Sequence, residues 1–227
     1  MKDNLKKLLQ VRNLANGEAA LYFYGEIVSS WRDTWDSSDK YPEAIRRFLD
    51  GLTGQPLHIY INSPGGSVFA GMAIYNMLCR YQGRKTTHID GIAASVASVI
   101  AMAGDIIMPE NTMMMIHRAS ANIWGNRDEL ARYVELLDKV DEAILSVYTK
   151  RLFNPDDTER VKELVAKETY LTAGDTSALF SGVSVAAPLE MVARAKNADA
   201  IYNASLEYER LRLLDISNGR NVHEGLS

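Results

Sequence analysis

Short apolar runs and amphipathic segments alternate along most of this 227-residue chain. The apolar runs have the length and the β-branched content of buried strands. They lie at 19–28, 57–61, 85–90, 105–108 and 112–116. Other segments, at 42–52, 67–81 and 127–152, repeat apolar residues every three or four positions, as a helix with one buried face does. This pattern predicts an α/β domain.

The pattern divides the chain into three parts. Residues 1–18 form a predicted N-terminal arm, residues 19–197 the main domain, and residues 198–227 a charged helical extension. The polar segment 31–40 is predicted to be a surface excursion. Shorter helices are predicted at 157–167, 173–180, 188–196 and 200–215.

Composition narrows the function classes. Hydrophobic residues make up 47% of the chain, enough for one sizeable core, and a net charge of −4 gives no reason to expect nucleic acid or a membrane as partner. The single cysteine, Cys79, excludes an internal disulfide, so a reducing, cytoplasmic location is expected. No apolar run reaches the length of a signal peptide or membrane span. No metal or cofactor is expected, because clustered Cys/His patterns and phosphate-binding glycine loops are missing from the sequence.

The first candidate for chemistry is the almost uncharged segment 91–100, Gly-Ile-Ala-Ala-Ser-Val-Ala-Ser-Val-Ile. Here a strand could turn sharply into a helix at Ser95. Such a turn presents a hydroxyl at a helix N-terminus, where free N–H groups favour developing negative charge. By itself the run is more typical of a close-packed helix face. Its second serine, Ser98, is expected to bond to a helix carbonyl or another partner if buried.

His117 is the candidate base among the four histidines. It ends the predicted strand at 112–116, where a side chain can be held rigidly and still reach solvent. A satisfied histidine at a strand end is the alternative. His58 and His88 lie within strand patterns, where core or surface roles are expected, and His223 lies in the polar tail.

A third candidate is the turn at 62–66, Asn-Ser-Pro-Gly-Gly, between a predicted strand and a predicted helix. Paired glycines permit positive φ and close backbone approach, so the turn can aim N–H groups at an oxyanion. An ordinary strand-to-helix turn is the alternative. Acyl transfer also needs an acid to orient the base, and spacing alone leaves Asp105, Glu168 and Asp175 open.

Three motifs together resemble those of the ClpP-type serine peptidases in their amino-acid sequence, order and spacing. They are Ile-Asn-Ser-Pro-Gly-Gly at 61–66, Gly-Ile-Ala-Ala-Ser at 91–95 and Met-Met-Ile-His at 114–117, and the similarity runs from about Leu21 to Val185. The wording of 90–95, 101–105 and 113–117 most resembles the ClpP-related head maturation proteases of tailed phages and prophages.

The resemblance implies a ClpP/crotonase-like fold of repeated strand-strand-helix units with a protruding handle helix at about 127–152. It implies Ser95 as nucleophile, His117 as general base and then acid, and an oxyanion hole from the N–H groups of Gly66 and Val96. Glu168 is the expected third residue, with Asp175 or a Ser–His dyad as alternatives. Substrate contacts are expected at Gly65, Ser67 and Ile92.

The resemblance further implies seven-membered rings, often two stacked face to face. The expected function is a serine endopeptidase acting on capsid proteins during phage head maturation. The alternatives are a housekeeping subunit served by an unfolding ATPase, an inactive assembly component, and crotonase-type acyl-CoA chemistry. Because the N-terminal arm does not resemble the ATPase-binding loop of cellular ClpP, dependence on an ATPase stays open. Neither the segment 31–40 nor the tail after 198 has a clear counterpart there.

Overall fold

The structure, a computed structural model, describes residues 12–13, 17–34 and 40–187. Most of the predicted arm, the centre of the 31–40 excursion, the 188–196 helix and the whole C-terminal extension lie outside these residues. The strands are β1 (Arg12–Asn13), β2 (Ala19–Phe23), β3 (Leu57–Ser63), β4 (Lys85–Ala94), β5 (Asp105–Pro109), β6 (Met113–Ile116), β7 (Thr169–Thr172) and β8 (Val183–Ala186). The helices are α1 (Pro42–Asp50), α2 (Val68–Arg80), α3 (Val96–Ala101), α4 (Arg127–Thr149), α5 (Thr158–Ala166) and α6 (Ala173–Leu179), with 3₁₀ turns at Trp31–Asp33 and Pro155–Asp157.

One mixed sheet organises the described residues. Its main path runs β1-β2-β3-β4-β5-β8, while β6 pairs with the end of β4 and β7 pairs with β6. The pairs from β2 to β5, β5–β8 and β4–β6 are parallel, so helices must connect most successive strands. The predicted α/β class is confirmed. None of the helices in the described part of the chain has the length and apolarity needed to cross a membrane.

The core lies against one face of the sheet. Ile59, Ile61 and Ile89 are fully buried on β3 and β4, and all six residues of α3 are buried. Helix α2 packs so closely on α3 that a Cβ on Gly71 would lie 2.1 Å from Val96 Cγ2. This packing fixes the position of the helix that follows Ser95.

The opposite face of β2–β4 carries partly exposed aromatic side chains. Tyr60 stacks on Tyr22 and on His88, with ring centroids 4.8 and 4.6 Å apart. His58 Nδ1 lies 3.0 Å from His88 Nε2, and His58 Nε2 lies 3.2 Å from a carboxylate oxygen of Glu18. Of the two roles expected for the strand histidines, the structure therefore gives them the surface one.

Four strand assignments differ from the sequence pattern. β2 ends at Phe23 rather than at residue 28, because beyond it Ile27 makes only isolated bridges to Lys40 and Gly66. β4 runs to Ala94 rather than to residue 90, because its last residues pair with β6. β7 and β8 were not predicted, since each has only four residues and is partly exposed. Between β3 and β4 the register shifts, so that Ile61 faces Ile89 but Ser63 faces Ala93. The extra residues bulge at the edge where β4 approaches Ser95.

Candidate active site

Ser95 occupies a sharp turn between β4 and α3. Its φ of 54° and ψ of −130° place it in a region that non-glycine residues seldom adopt. The Ser95 N–H donates to the Met115 carbonyl at 3.0 Å, and its own carbonyl accepts from the Ser98 N–H at 3.0 Å. The main chain is thus held on both sides while the side chain projects from the elbow, as the sequence predicts.

Strand register brings His117 to Ser95. β6 runs parallel to β4 with Ala94 opposite Met115, so the residues just beyond both strands become neighbours. The Nε2 atom of His117 lies 2.8 Å from Ser95 Oγ. This is hydrogen-bond distance, and with the proton on Nδ1 the imidazole accepts the serine proton.

Glu168 reaches the other side of the same imidazole. β7 is antiparallel to β6 with Ile116 opposite Thr169, which places Glu168 beside His117. Its carboxylate Oε2 lies 3.9 Å from His117 Nδ1, and its side chain is 59% exposed. Glu168 has a φ of 50°. Among the described residues, it and Ser95 are the two non-glycine residues with positive φ.

The two other candidate acids lie elsewhere. Asp175 caps α6, where its carboxylate accepts from the N–H and hydroxyl of Thr172 at 3.0 and 2.7 Å. The hydrogen bond from the Thr172 side chain, together with the one from its backbone, holds the pKa of Asp175 below its usual value. Asp105 pairs with Thr86 near the start of β4, whereas Ser95 follows its end.

The Gly65–Gly66 turn lies directly beside the elbow. A Cβ on Gly65 would come 2.6 Å from Ser95 Cβ and 2.8 Å from the Ala94 carbonyl oxygen. Ile27 bonds to the residues on either side of Gly66, donating to the Gly65 carbonyl and accepting from the Ser67 N–H. The N–H of Gly66 therefore points away from Ile27, and Gly66 lines a pocket that also contains Ser95 and Val96.

Two further predicted substrate contacts flank the turn. Ser67 is the N-cap residue of α2, and its Oγ accepts a hydrogen bond from the Ser29 hydroxyl at 3.0 Å. Ile92 pairs with Met113, and its N–H donates to Asn62 Oδ1 at 3.3 Å. Asn62 thereby anchors the β4 bulge, a role that the sequence did not reveal although the residue lies in the 62–66 motif.

The pocket beside Ser95 has both apolar and polar walls. The apolar part is formed by Val68, Val99, Ala119, Ile144 and Tyr148, and the polar part includes His117, Arg118 and Ser120. The loop after His117 is fixed by Asp141 of α4, which accepts from the Ala119 N–H at 2.7 Å. Asp141 and Tyr148 approach the site from a distant helix, so spacing along the chain gives no signal for either.

The comparisons with known proteins address the same part of the chain. The Clp protease family model matches residues 47–182, which is more than half of the chain and includes all three motifs. The chain belongs to the Clp protease family. It is 35% identical over 107 residues to an ATP-dependent Clp protease proteolytic subunit of Deinococcus radiodurans.

That alignment covers 45% of this chain and 52% of the relative, so this Clp protease-family member spans about half the length of the curated relative it matches. In this member of the Clp protease family, Ser95, His117 and Glu168 lie at the ends of three neighbouring strands. The described residues contain no group of three or more His, Cys, Asp or Glu side chains placed to hold a metal ion.

Proposed function

We propose that the protein is a serine endopeptidase that hydrolyses peptide bonds through an acyl-enzyme. The observation that carries this proposal is the 2.8 Å contact between Ser95 Oγ and His117 Nε2, at an elbow flanked by the Gly65–Gly66 turn. A serine paired in this way with an oriented imidazole is an activated nucleophile. Labelling by a fluorophosphonate, which modifies activated serines, tests the proposal directly.

Each group has one task in the reaction. Ser95 Oγ bonds to the peptide carbonyl carbon as its proton passes to His117 Nε2. The N–H groups of Gly66 and Val96 bind the resulting oxyanion. The Gly66 N–H points away from Ile27, and the Val96 N–H belongs to the first turn of α3, where a helix leaves N–H donors free. The imidazolium then protonates the leaving amine, the C–N bond breaks, and a water deprotonated by His117 hydrolyses the acyl-enzyme.

Substrate is held in an extended conformation beside the elbow. Main-chain pairing with the substrate near Gly65, Ser67 and Ile92, as when a strand is added to a sheet edge, must replace bonds that their N–H groups now make to Ser63 Oγ, the Ile27 carbonyl and Asn62 Oδ1. Main-chain pairing reads little side-chain identity. The pocket next to Ser95, which has both apolar and polar walls, is where a substrate side chain is read.

Glu168 orients the imidazole and stabilises its positive form. Its carboxylate lies 3.9 Å from His117 Nδ1, whereas the Asp175 carboxylate accepts a hydrogen bond from the Thr172 hydroxyl. Because 3.9 Å exceeds hydrogen-bond distance, its orienting effect is weak and a Ser–His dyad carries most of the chemistry.

Glu168→Gln is therefore expected to lower kcat by about ten- to a hundredfold, less than the roughly 10⁴-fold loss at a buried, hydrogen-bonded triad aspartate. Asp175→Asn is the matched control, because it removes the charge from the capping box with Thr172 and lowers the melting temperature without changing kcat. Steady-state kinetics on a fluorogenic peptide distinguish the two. A larger kcat loss in Asp175→Asn than in Glu168→Gln would reverse the assignment.

We place this activity in phage head maturation, with capsid proteins as substrates. The wording of segments 90–95, 101–105 and 113–117 supports this setting. Cleavage of protein substrates by the purified protein without an ATPase, and genes for portal and capsid proteins beside its own, are the expected observations. The expected location is the cytoplasm.

A housekeeping ATP-dependent subunit is the second candidate, supported by the name of the 35% identical relative. Stimulation by a co-purifying ATPase would favour it. An inactive assembly component would show no labelling at Ser95. Binding of acyl-CoA without labelling would instead favour crotonase-type chemistry, in which the Ser95–His117 pair has no task.

We also propose assembly into seven-membered rings, single or stacked. The first half of α4 carries exposed apolar side chains, and buried residues begin only at Val140. The exposed ones include Leu130, Tyr133 and Val134, at 41, 43 and 59% exposure. An apolar stripe of this kind marks an interaction surface. A capping box between Asn126 and Glu129 defines the start of this helix.

Val134→Lys is expected to reduce the assembled mass measured by light scattering, because it places a charge within the stripe. Glu135→Lys introduces the same side chain about 100° further around the helix, at a polar position outside the stripe, so its mass should match the wild type. Equal masses for all three proteins would contradict the assigned surface.

A further inference from the structure

A buried pair of hydroxyl groups lies directly behind Ser95. Ser98 is fully buried on α3, and its Oγ lies 2.5 Å from the Ser95 carbonyl oxygen. The same Oγ lies 2.7 Å from the hydroxyl of Tyr148, which comes from α4 and is 1% exposed. The two hydroxyls thus link the handle helix to the main chain of the candidate nucleophile.

The direction of the two hydrogen bonds follows from what each atom can do. The Ser95 carbonyl can only accept, so Ser98 donates its single proton to it. The Tyr148 hydroxyl then donates to Ser98 Oγ, which leaves neither proton unpaired. Burial raises the pKa of Tyr148 above its usual value, so this donor stays protonated at neutral pH.

The carbonyl that receives this hydrogen bond belongs to a strained residue. Ser95 has a φ of 54°, a conformation that costs about 1–3 kcal/mol and persists only when its surroundings impose it. On one side the Met115 carbonyl holds the Ser95 N–H. On the other side Ser98 holds the carbonyl with both its N–H and its Oγ.

We propose that Ser98 and Tyr148 are positioning residues, which hold the Ser95 main chain in the orientation from which its hydroxyl reaches His117. This inference rests on the proposed peptidase function. Neither residue contacts the reacting atoms through its hydroxyl, since both hydroxyls are occupied within the core. They affect the orientation of the Ser95 hydroxyl, and the rate of nucleophilic attack is sensitive to that orientation.

The ring of Tyr148 also lines the pocket beside Ser95, so its hydroxyl must be tested separately from its ring. Tyr148→Phe keeps the ring and removes the hydroxyl. We expect kcat and the rate of fluorophosphonate labelling to fall about tenfold, with KM changed by less than about twofold. A change in the pocket alone would instead raise KM and leave labelling by a small probe unchanged.

Tyr81→Phe is the matched control. It removes a tyrosine hydroxyl that donates to the Gln55 carbonyl at 2.6 Å, at a position remote from Ser95. Both variants are expected to lower the melting temperature, but only Tyr148→Phe should slow labelling. Ser98→Ala should slow it at least as much, and the double variant no more than Ser98→Ala, because Tyr148 acts only through Ser98.

The outcomes separate this inference from the proposed function. If the wild-type protein is not labelled at Ser95, the proposed function fails and the positioning role fails with it. If the wild type is labelled while Tyr148→Phe and Ser98→Ala react as fast as Tyr81→Phe, only the positioning role is overturned. If Tyr148→Phe does not fold, the comparison of Ser98→Ala with Tyr81→Phe decides the question.

Discussion

Ser95→Ala is expected to abolish both fluorophosphonate labelling and peptide cleavage, lowering kcat by roughly 10⁶-fold, the loss found when a serine protease is deprived of its nucleophile. The substitution removes only the oxygen that lies 2.8 Å from His117 Nε2. Alanine retains the Cβ, so the elbow keeps its φ of 54° and the same backbone strain. Any loss of activity is therefore a loss of chemistry rather than of fold, and the melting temperature should change little.

Ser177→Ala is a suitable control, because Ser177 is a partly exposed serine of α6 whose hydroxyl donates to the Gly174 carbonyl. It should be labelled and should cleave peptides like the wild type. Mass spectrometry of the labelled peptide identifies the modified residue. Persistent labelling of Ser95→Ala at another serine would show that the nucleophile lies elsewhere in the chain.

The sequence predicts the centre of this site well because local chemistry determines it. A small-residue run ending in Ser95, a strand ending in His117 and a Pro-Gly-Gly turn each carry their own conformational signal. All three lie at ends of neighbouring parallel strands, and the ends of such strands meet along one edge of a sheet.

Spacing along the chain leaves open which acid lies beside His117, because the answer depends on a short antiparallel strand. β7 has four residues and no clear strand signal, yet its pairing with β6 places Glu168 rather than Asp175 beside His117. The threonine at position 172 and the aspartate three residues later form a capping box, and that pattern is visible in the sequence. It would have assigned Asp175 to the helix end.

The buried hydroxyl pair shows a second limit. The sequence predicts that a buried Ser98 needs a partner, but the partner lies 50 residues away on α4. Tyr148 occupies an apolar helical position and therefore has the pattern of an ordinary core residue. The packing between helices decides which buried tyrosine contacts which serine, and this packing cannot be read from a single sequence.

Gly65→Ala is expected to reduce kcat/KM and the labelling rate by about a hundredfold or more, since a displacement near 1 Å at the reacting groups costs that much. A Cβ at this position would lie 2.6 Å from Ser95 Cβ, 2.8 Å from the Ala94 carbonyl and 3.2 Å from Ser95 Oγ. Two of these atoms belong to a rigid elbow rather than to the end of a flexible side chain. Either the glycine turn or the nucleophile must move, and the oxyanion donors then lose their alignment with Ser95.

Gly54→Ala separates this steric effect from backbone strain. Gly54 has a φ of +96°, close to the +99° of Gly65, but a Cβ there would meet nothing within 4 Å. Both variants therefore place alanine at a similar unfavourable φ, which costs about 1 kcal/mol of stability, and Gly65→Ala should lose further stability through its steric contacts. Only Gly65→Ala should lose activity. If the two variants retain the same labelling rate, the close approach of the glycine turn to Ser95 has no part in the reaction, and the oxyanion donors must be sought on another segment.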